Sequence, residues 1–124
     1  MVLICVFTDS TYRQVIQLKF KLNNIYDLIP DDLSTEKFET LIDHAKLRIE
    51  RIVSRGHHSP ESGWYDQDDN EWVIVLSGEA VLRFESGDTV HLKSGDYINI
   101  EAHQKHKVEW TLPDIETIWL AVHY

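Results

Sequence analysis

A single cysteine, Cys5, excludes any intrachain disulfide in this 124-residue chain. Such usage fits a reducing, cytoplasmic setting with Cys5 as an inert buried thiol. Long apolar runs are missing as well. The opening VLICVF is only six residues long, has no basic stretch before it and passes directly into Thr8-Asp9-Ser10, unlike a secretory signal or a membrane span. Positive charge is in deficit: 12 Lys and Arg stand against 21 Asp and Glu, for a formal charge of −9, and the basic residues are scattered rather than gathered into a stripe. Nucleic acid and membranes are therefore not expected as partners. There is no internal repeat and no low-complexity tract, and the length suits one domain with a real core.

What the chain does have is period-two alternation. Ile16, Leu18, Phe20 and Leu22 alternate with Gln17, Lys19 and Lys21, which predicts a half-buried strand within an N-terminal extension over 1–22. Asn23-Asn24 and Pro30-Asp31-Asp32 break that pattern. Ser34 then stands where a helix cap belongs, with Leu33 and Phe38 placed for a hydrophobic staple and Phe38, Leu41, Ile42 and Ala45 on one helical face, so 23–46 is expected to be a helical segment. From residue 47 onward the expected structure is a β-barrel domain. LRIERIVS predicts a strand, EWVIVLSG another, and AVLRFESGDTVHLKS two short strands around Ser86-Gly87-Asp88. A last strand over 116–123 follows a turn at Pro113-Asp114.

Two polar residues travel with the apolar faces of these strands. Glu71 shares a face with Val73 and Val75, and His106 is expected to share one with Val108 and Trp110. A carboxylate in an apolar barrel resists ionisation unless a cation compensates it, and a neutral imidazole does not supply that charge. A bound metal would. The connection between strands, Gly56 to Asn70, is long enough to be functional, and Trp64 and Tyr65 within it favour order.

At these residues the chain resembles the cupins, small all-β jelly-roll barrels (a double-stranded β-helix) marked by two motifs. The second motif is a glycine, five residues, a proline-any-glycine turn, two residues and a histidine. Gly95, Glu101-Ala102-His103 and His106 occupy those places, with Glu101 and His103 replacing the usual proline and glycine. In the first motif Glu71 through Gly78 supply the glutamate and the glycine. The resemblance covers roughly 48–124, is closest to small single-domain bacterial cupins, and extends to the segment KLNNIYDLIP. It implies metal ligation by Glu71 and His106. The first motif's His-any-His is absent: the two usual spacings put Tyr65 and Gln67, or Trp64 and Asp66, at those positions, so that Asp66 or Gln67 could give an oxygen donor. Such a donor set suits a divalent Mn, Fe, Ni or Zn, and the resemblance to cupins implies an oxygenase or isomerase acting on a small molecule. The centre would have two histidines only if His103, His57 or His58 folds inward.

Each of these residues has a plainer alternative. Glu71 and His106 could be a structural pair, Asp66 and Gln67 solvated turn residues, His57 and His58 loop residues, and His103 simply exposed. Trp72, Trp110 and Trp119 suit core or subunit contacts. Trp64, Tyr65 and His103 are candidates for lining a ligand-binding mouth, the alternative function being a metal-free cupin that binds a small metabolite without chemistry. A metal-free isomerase of the sugar-epimerase type, with His103 or His106 as base, is a third reading. Because EWVIVL is apolar on both faces, a homodimer is expected, with the N-terminal segment in its contact.

Overall fold

The computed structural model describes residues 20–124; Cys5 and most of the strand expected over 16–21 lie outside them. Eight strands follow in order, with no helix among the described residues: β1 (Lys37–His44), β2 (Leu47–Ser54), β3 (Glu71–Ser77), β4 (Glu79–Phe84), β5 (Thr89–Lys93), β6 (Tyr97–Ile100), β7 (His106–Thr111) and β8 (Thr117–His123). They form a five-stranded sheet in the order β1-β2-β8-β3-β6 and a three-stranded sheet in the order β5-β4-β7. Every pairing is antiparallel. Ile52, Val73, Val75, Ile100, Trp119 and Ala121 from the larger sheet pack with Ala80, Leu82, Phe84 and Leu92 from the smaller one, so the two inner faces enclose a single apolar core.

The helix expected within 23–46 is not formed: residues 37–44 are strand β1, which adds to the edge of the larger sheet. The spacing of Phe38, Leu41 and Ile42 suggested a helical face. A β-bulge between Thr40 and Ile42 produces the same spacing in an extended chain, and pairing with β2 satisfies backbone groups that a segment this short could not satisfy alone. Ser34 caps nothing; its own amide donates to Asp32 Oδ1 at 3.0 Å. The segment ahead of β1 is held instead by Arg51, whose guanidinium donates to the carbonyls of Ile25 and Asp27 and to the Glu39 carboxylate.

A second bulge, in the pairing of β4 with β7, falls at Glu109: Val81 faces Trp110 while Leu82 faces Val108. It reverses the alternation. His106 stays with the inner face, whereas Trp110 turns outward against His91, its ring edge-on at 6.4 Å, so the shared face expected for His106, Val108 and Trp110 is broken. The glycine that follows β3 also has a structural reason. Gly78 has φ +91°, and a Cβ there would stand 2.6 Å from Thr117 Cα, so only glycine lets the β3–β4 turn lie on β8.

Candidate functional site

Between the sheets, beyond the packed part of the core, lies a cavity of about 290 Å³. Its floor is apolar, made by Val73, Leu82, Ile100 and Trp119. Its polar wall carries two carboxylate–imidazole pairs.

The first pair joins Glu71 at the start of β3 to His106 at the start of β7. Both side chains are buried, and Glu71 Oε1 lies 3.4 Å from His106 Nε2. The other imidazole nitrogen, Nδ1, donates to the Gln104 carbonyl at 2.8 Å, which leaves Nε2 as the atom that exchanges a proton in front of Glu71. Burial works against the charged imidazole. The Glu71 carboxylate and the Gln104 carbonyl outweigh it, and the pKa of His106 is raised above its usual range. Gln67 completes the group by donating its amide to Glu71 Oε1 at 3.3 Å. Tyr65 is tied to His106 by reciprocal backbone hydrogen bonds, and its ring lies 5.7 Å from the imidazole.

The second pair was not singled out from the sequence. His123, near the end of β8, bonds Glu50 Oε1 on β2 through Nε2 at 2.9 Å; the imidazole is buried and Glu50 is half-buried. Arg48 approaches the far oxygen of Glu50 at 3.8 Å. The hydrogen bond to His123 lowers the Glu50 pKa, with Arg48 adding to it against the cost of burial. His123 Nδ1 is buried and has no hydrogen-bond partner among the described residues, a cost of about 1–3 kcal/mol for such a group. Register ties the two pairs together, since Glu71 is the direct cross-strand partner of His123. The signal was in the sequence: Thr117, Trp119, Ala121 and His123 alternate onto one face, as do Glu50, Ile52 and Ser54.

The structure divides the expected site residues. Tyr65 and Gln67 line the cavity with Glu71 and His106. Asp66 and Trp64, the residues of the other spacing, do not. Asp66 accepts from His103 Nδ1 at 2.8 Å, with the His103 side chain 62 % exposed, so neither is a cavity group. His103 has a structural place: it takes the motif's glycine position with φ +64°, and its amide donates to the Gln67 carbonyl at 2.8 Å, fastening the loop that presents Gln67. Trp64 belongs to a separate surface depression, where Lys107 Nζ sits 4.5 Å above its ring. His57 accepts from the Arg55 amide, and the ring of His58 contacts the Ser59 carbonyl; neither lines the cavity.

The donor set does not fit the expected metal. Glu71 and His106 are two donors, Gln67 turns its amide nitrogen toward Glu71, and among the described residues no group of three His, Cys, Asp or Glu side chains is arranged to hold an ion. Arrangements that hold a transition metal usually bring three strong donors together.

A barrel of two antiparallel sheets closed over a polar-walled cavity is the class of protein this geometry defines. The cupin domain model matches residues 52–123, and the chain belongs to the cupin family. Its structure is similar to that of a proposed mannose-6-phosphate isomerase from Ralstonia eutropha JMP134, with 38% identity over 83% of this chain and 96% of that one and a TM-score of 0.79. It is also similar in fold to an RmlC-like cupin protein from Desulfovibrio desulfuricans, at 14% identity, covering 83% of this chain and 95% of that one, with a TM-score of 0.66. An RmlC-like cupin with a double-stranded β-helix fold from Methanocaldococcus jannaschii is 20% identical, covering 77% of this chain and 85% of that one, with a TM-score of 0.62. No curated protein matches. No helix among the described residues is long and apolar enough to cross a membrane.

Proposed function

We propose that this cupin binds a small polar molecule in its barrel cavity without a metal, and that the Glu71–His106 pair is the group that meets the ligand's reactive or recognised oxygen. The observation that carries this reading is the pairing itself. A buried carboxylate faces Nε2 of an imidazole whose other nitrogen is fixed by a backbone carbonyl, at the wall of a cavity with room for a ligand. Such a pair holds one proton that either partner can lend. A ligand hydroxyl entering between them can donate to Glu71 and accept from protonated His106, and a ligand carbonyl accepts from His106 alone.

The chemistry this supports is proton transfer on a hydroxyl- or carbonyl-bearing molecule, the isomerase reading. The likeness to the Ralstonia protein favours it over an oxygenase. In this reading the proton passes between the ligand and the Glu71–His106 pair, and His103, out on the surface, takes no part. Binding without turnover uses the same contacts.

Elemental analysis of untagged protein, followed by titration with simple sugars, tests the proposal. The expected result is substoichiometric metal in the wild type and sugar binding that Glu71→Gln and His106→Ala each abolish. Stoichiometric Mn, Fe, Ni or Zn, lost in both variants, would restore a metal centre in place of this reading.

A further inference from the structure

The charges around the cavity are lopsided. Glu36, Glu50 and Glu71 line it, and among the described residues Arg48 is the only Lys or Arg that does so. Two of the carboxylates are already answered: Glu71 by His106, Glu50 by His123 and Arg48. Glu36 makes no ion pair among the described residues. It is nevertheless fixed in place. Trp119 Nε1 donates to Ser54 Oγ at 3.1 Å, and the fully buried Ser54 hydroxyl donates in turn to the Glu36 carboxylate. A carboxylate oriented by a two-step relay, with no ion pair among the described residues, is prepared for a partner that those residues do not supply.

The surroundings of Glu36 suit a cation in particular. Phe38, two residues along, and Tyr65 line the same cavity, and aromatic rings in a cavity that holds a carboxylate favour an ammonium group over a neutral one. The field of the acidic groups reaches across the space. The Tyr65 phenol is pushed up first by burial and then by Glu36, with Glu71 and Glu50 adding to the effect, while a hydrogen bond with Ser59 opposes them. A phosphate or carboxylate entering here would meet three carboxylates, while Arg48 and a protonated His106 are already engaged by Glu50 and Glu71.

We infer that the ligand carries a protonated amine, seated on Glu36 between Phe38 and Tyr65, with a hydroxyl or carbonyl group reaching the Glu71–His106 pair, and that phosphorylated molecules are rejected. The inference rests on the proposed binding role of the cavity and adds the ligand's charge to it. It also separates the proposed ligand from phosphosugars, because Arg48 and a protonated His106 are already paired with Glu50 and Glu71, as the His123 imidazole is with Glu50, so no unpaired cation among the described residues is left for a phosphate dianion.

Mannosamine, mannose and mannose 6-phosphate share one skeleton and carry positive, zero and negative charge, so they isolate the effect of charge. Binding of each is measured by calorimetry at low and high salt, for wild type and for Glu36→Gln, with a thermal melt to verify that the variant is folded. The expected order is mannosamine, then mannose about tenfold weaker, with mannose 6-phosphate weakest, and Glu36→Gln weakens mannosamine far more than mannose, so that the preference for the amine is lost. If the variant does not fold, added salt makes the same distinction in the wild type by weakening mannosamine and not mannose. Mannose 6-phosphate binding as tightly as mannosamine, or a mannosamine preference that survives both Glu36→Gln and high salt, overturns the inference while leaving the cavity a binding site. Absence of binding by all three overturns the inference and the binding role together.

Discussion

The two carboxylate–imidazole pairs of the cavity are built from the same residue types on neighbouring strands, yet they are wired differently. In the Glu71–His106 pair the partners stand 3.4 Å apart, both imidazole nitrogens have a partner, and a third side chain, Gln67, shares the carboxylate. In the Glu50–His123 pair the contact is shorter, 2.9 Å, and the far nitrogen of the imidazole has no partner among the described residues. The looser pair can open to admit a ligand oxygen without stranding a buried atom, because Gln104 and Gln67 keep their hydrogen bonds. The tighter pair cannot give up its single bond as cheaply. The proposed ligand contact therefore belongs to the first pair, and wall-building to the second.

Removing half of the tighter pair should have the largest effect. Glu50→Ala leaves both nitrogens of the buried His123 ring without a hydrogen-bond partner among the described residues and is expected to cost about 1–3 kcal/mol in denaturant unfolding. The double replacement Glu50→Leu with His123→Leu should cost less than that single change, since no polar atom is then left behind. A single variant as stable as wild type would show that the pair is not structural.

Next in size is the response of His106 to Glu71→Gln. Burial alone would lower the imidazole pKa and Glu71 is the foremost group raising it, so the variant's His106 should titrate below the wild-type value, as followed by NMR of the imidazole. Stability depends on pH in the same sense. With a folded pKa above the ordinary 6.5, the pair's contribution is complete below pH 6.5 and is lost as pH rises through the raised value. Glu71→Gln should flatten that slope in pH-dependent melts.

Glu50 behaves in the opposite sense. Its folded pKa lies below the ordinary 4.5, so the stabilisation is complete above pH 4.5 and is lost as pH falls through the lowered value. Melts of wild type and Glu50→Gln should therefore converge at strongly acidic pH and separate above it. Convergence on the alkaline side instead would reverse the assignment of the two pairs. The smallest change is expected from Arg48→Gln. Arg48 is 43% exposed and 3.8 Å from Glu50, and its loss should cost about 0–1 kcal/mol in the same melts, with the lower value at high salt.

The two pairs also differ in how far the chain announces them. Glu71 and His106 were legible because a motif with fixed spacing surrounds them and because both alternate with apolar neighbours. The two spacings before Glu71 made Gln67 and Asp66 equal candidates, and only the loop, fastened by the bond from the His103 amide to the Gln67 carbonyl, decides between them. Glu50 and His123 stand outside the motifs. Their alternation with Ile52 and Trp119 marked the face, but a pair 73 residues apart in sequence is brought together only by β2 pairing with β8. The strands themselves were mostly apparent from alternation and from their turn residues. Bulges account for two of the misreadings, at Leu41, where extra chain in β1 imitated a helical face, and at Glu109, where the alternation of β7 reverses and sends Trp110 outward. A bulge leaves no compositional mark and is set by the partner strand.

The central claim is that the cavity wall is a ligand site in which Glu71 and His106 make contact while Glu50 and His123 hold their places. Imidazole-selective ¹H–¹⁵N NMR during a mannosamine titration tests this directly. The predicted result is a saturable shift of the His106 resonances, a smaller one at His123, and none at exposed His44. Resonances of His106 that stay fixed while mannosamine binds elsewhere, or that stay fixed because nothing binds, would contradict it.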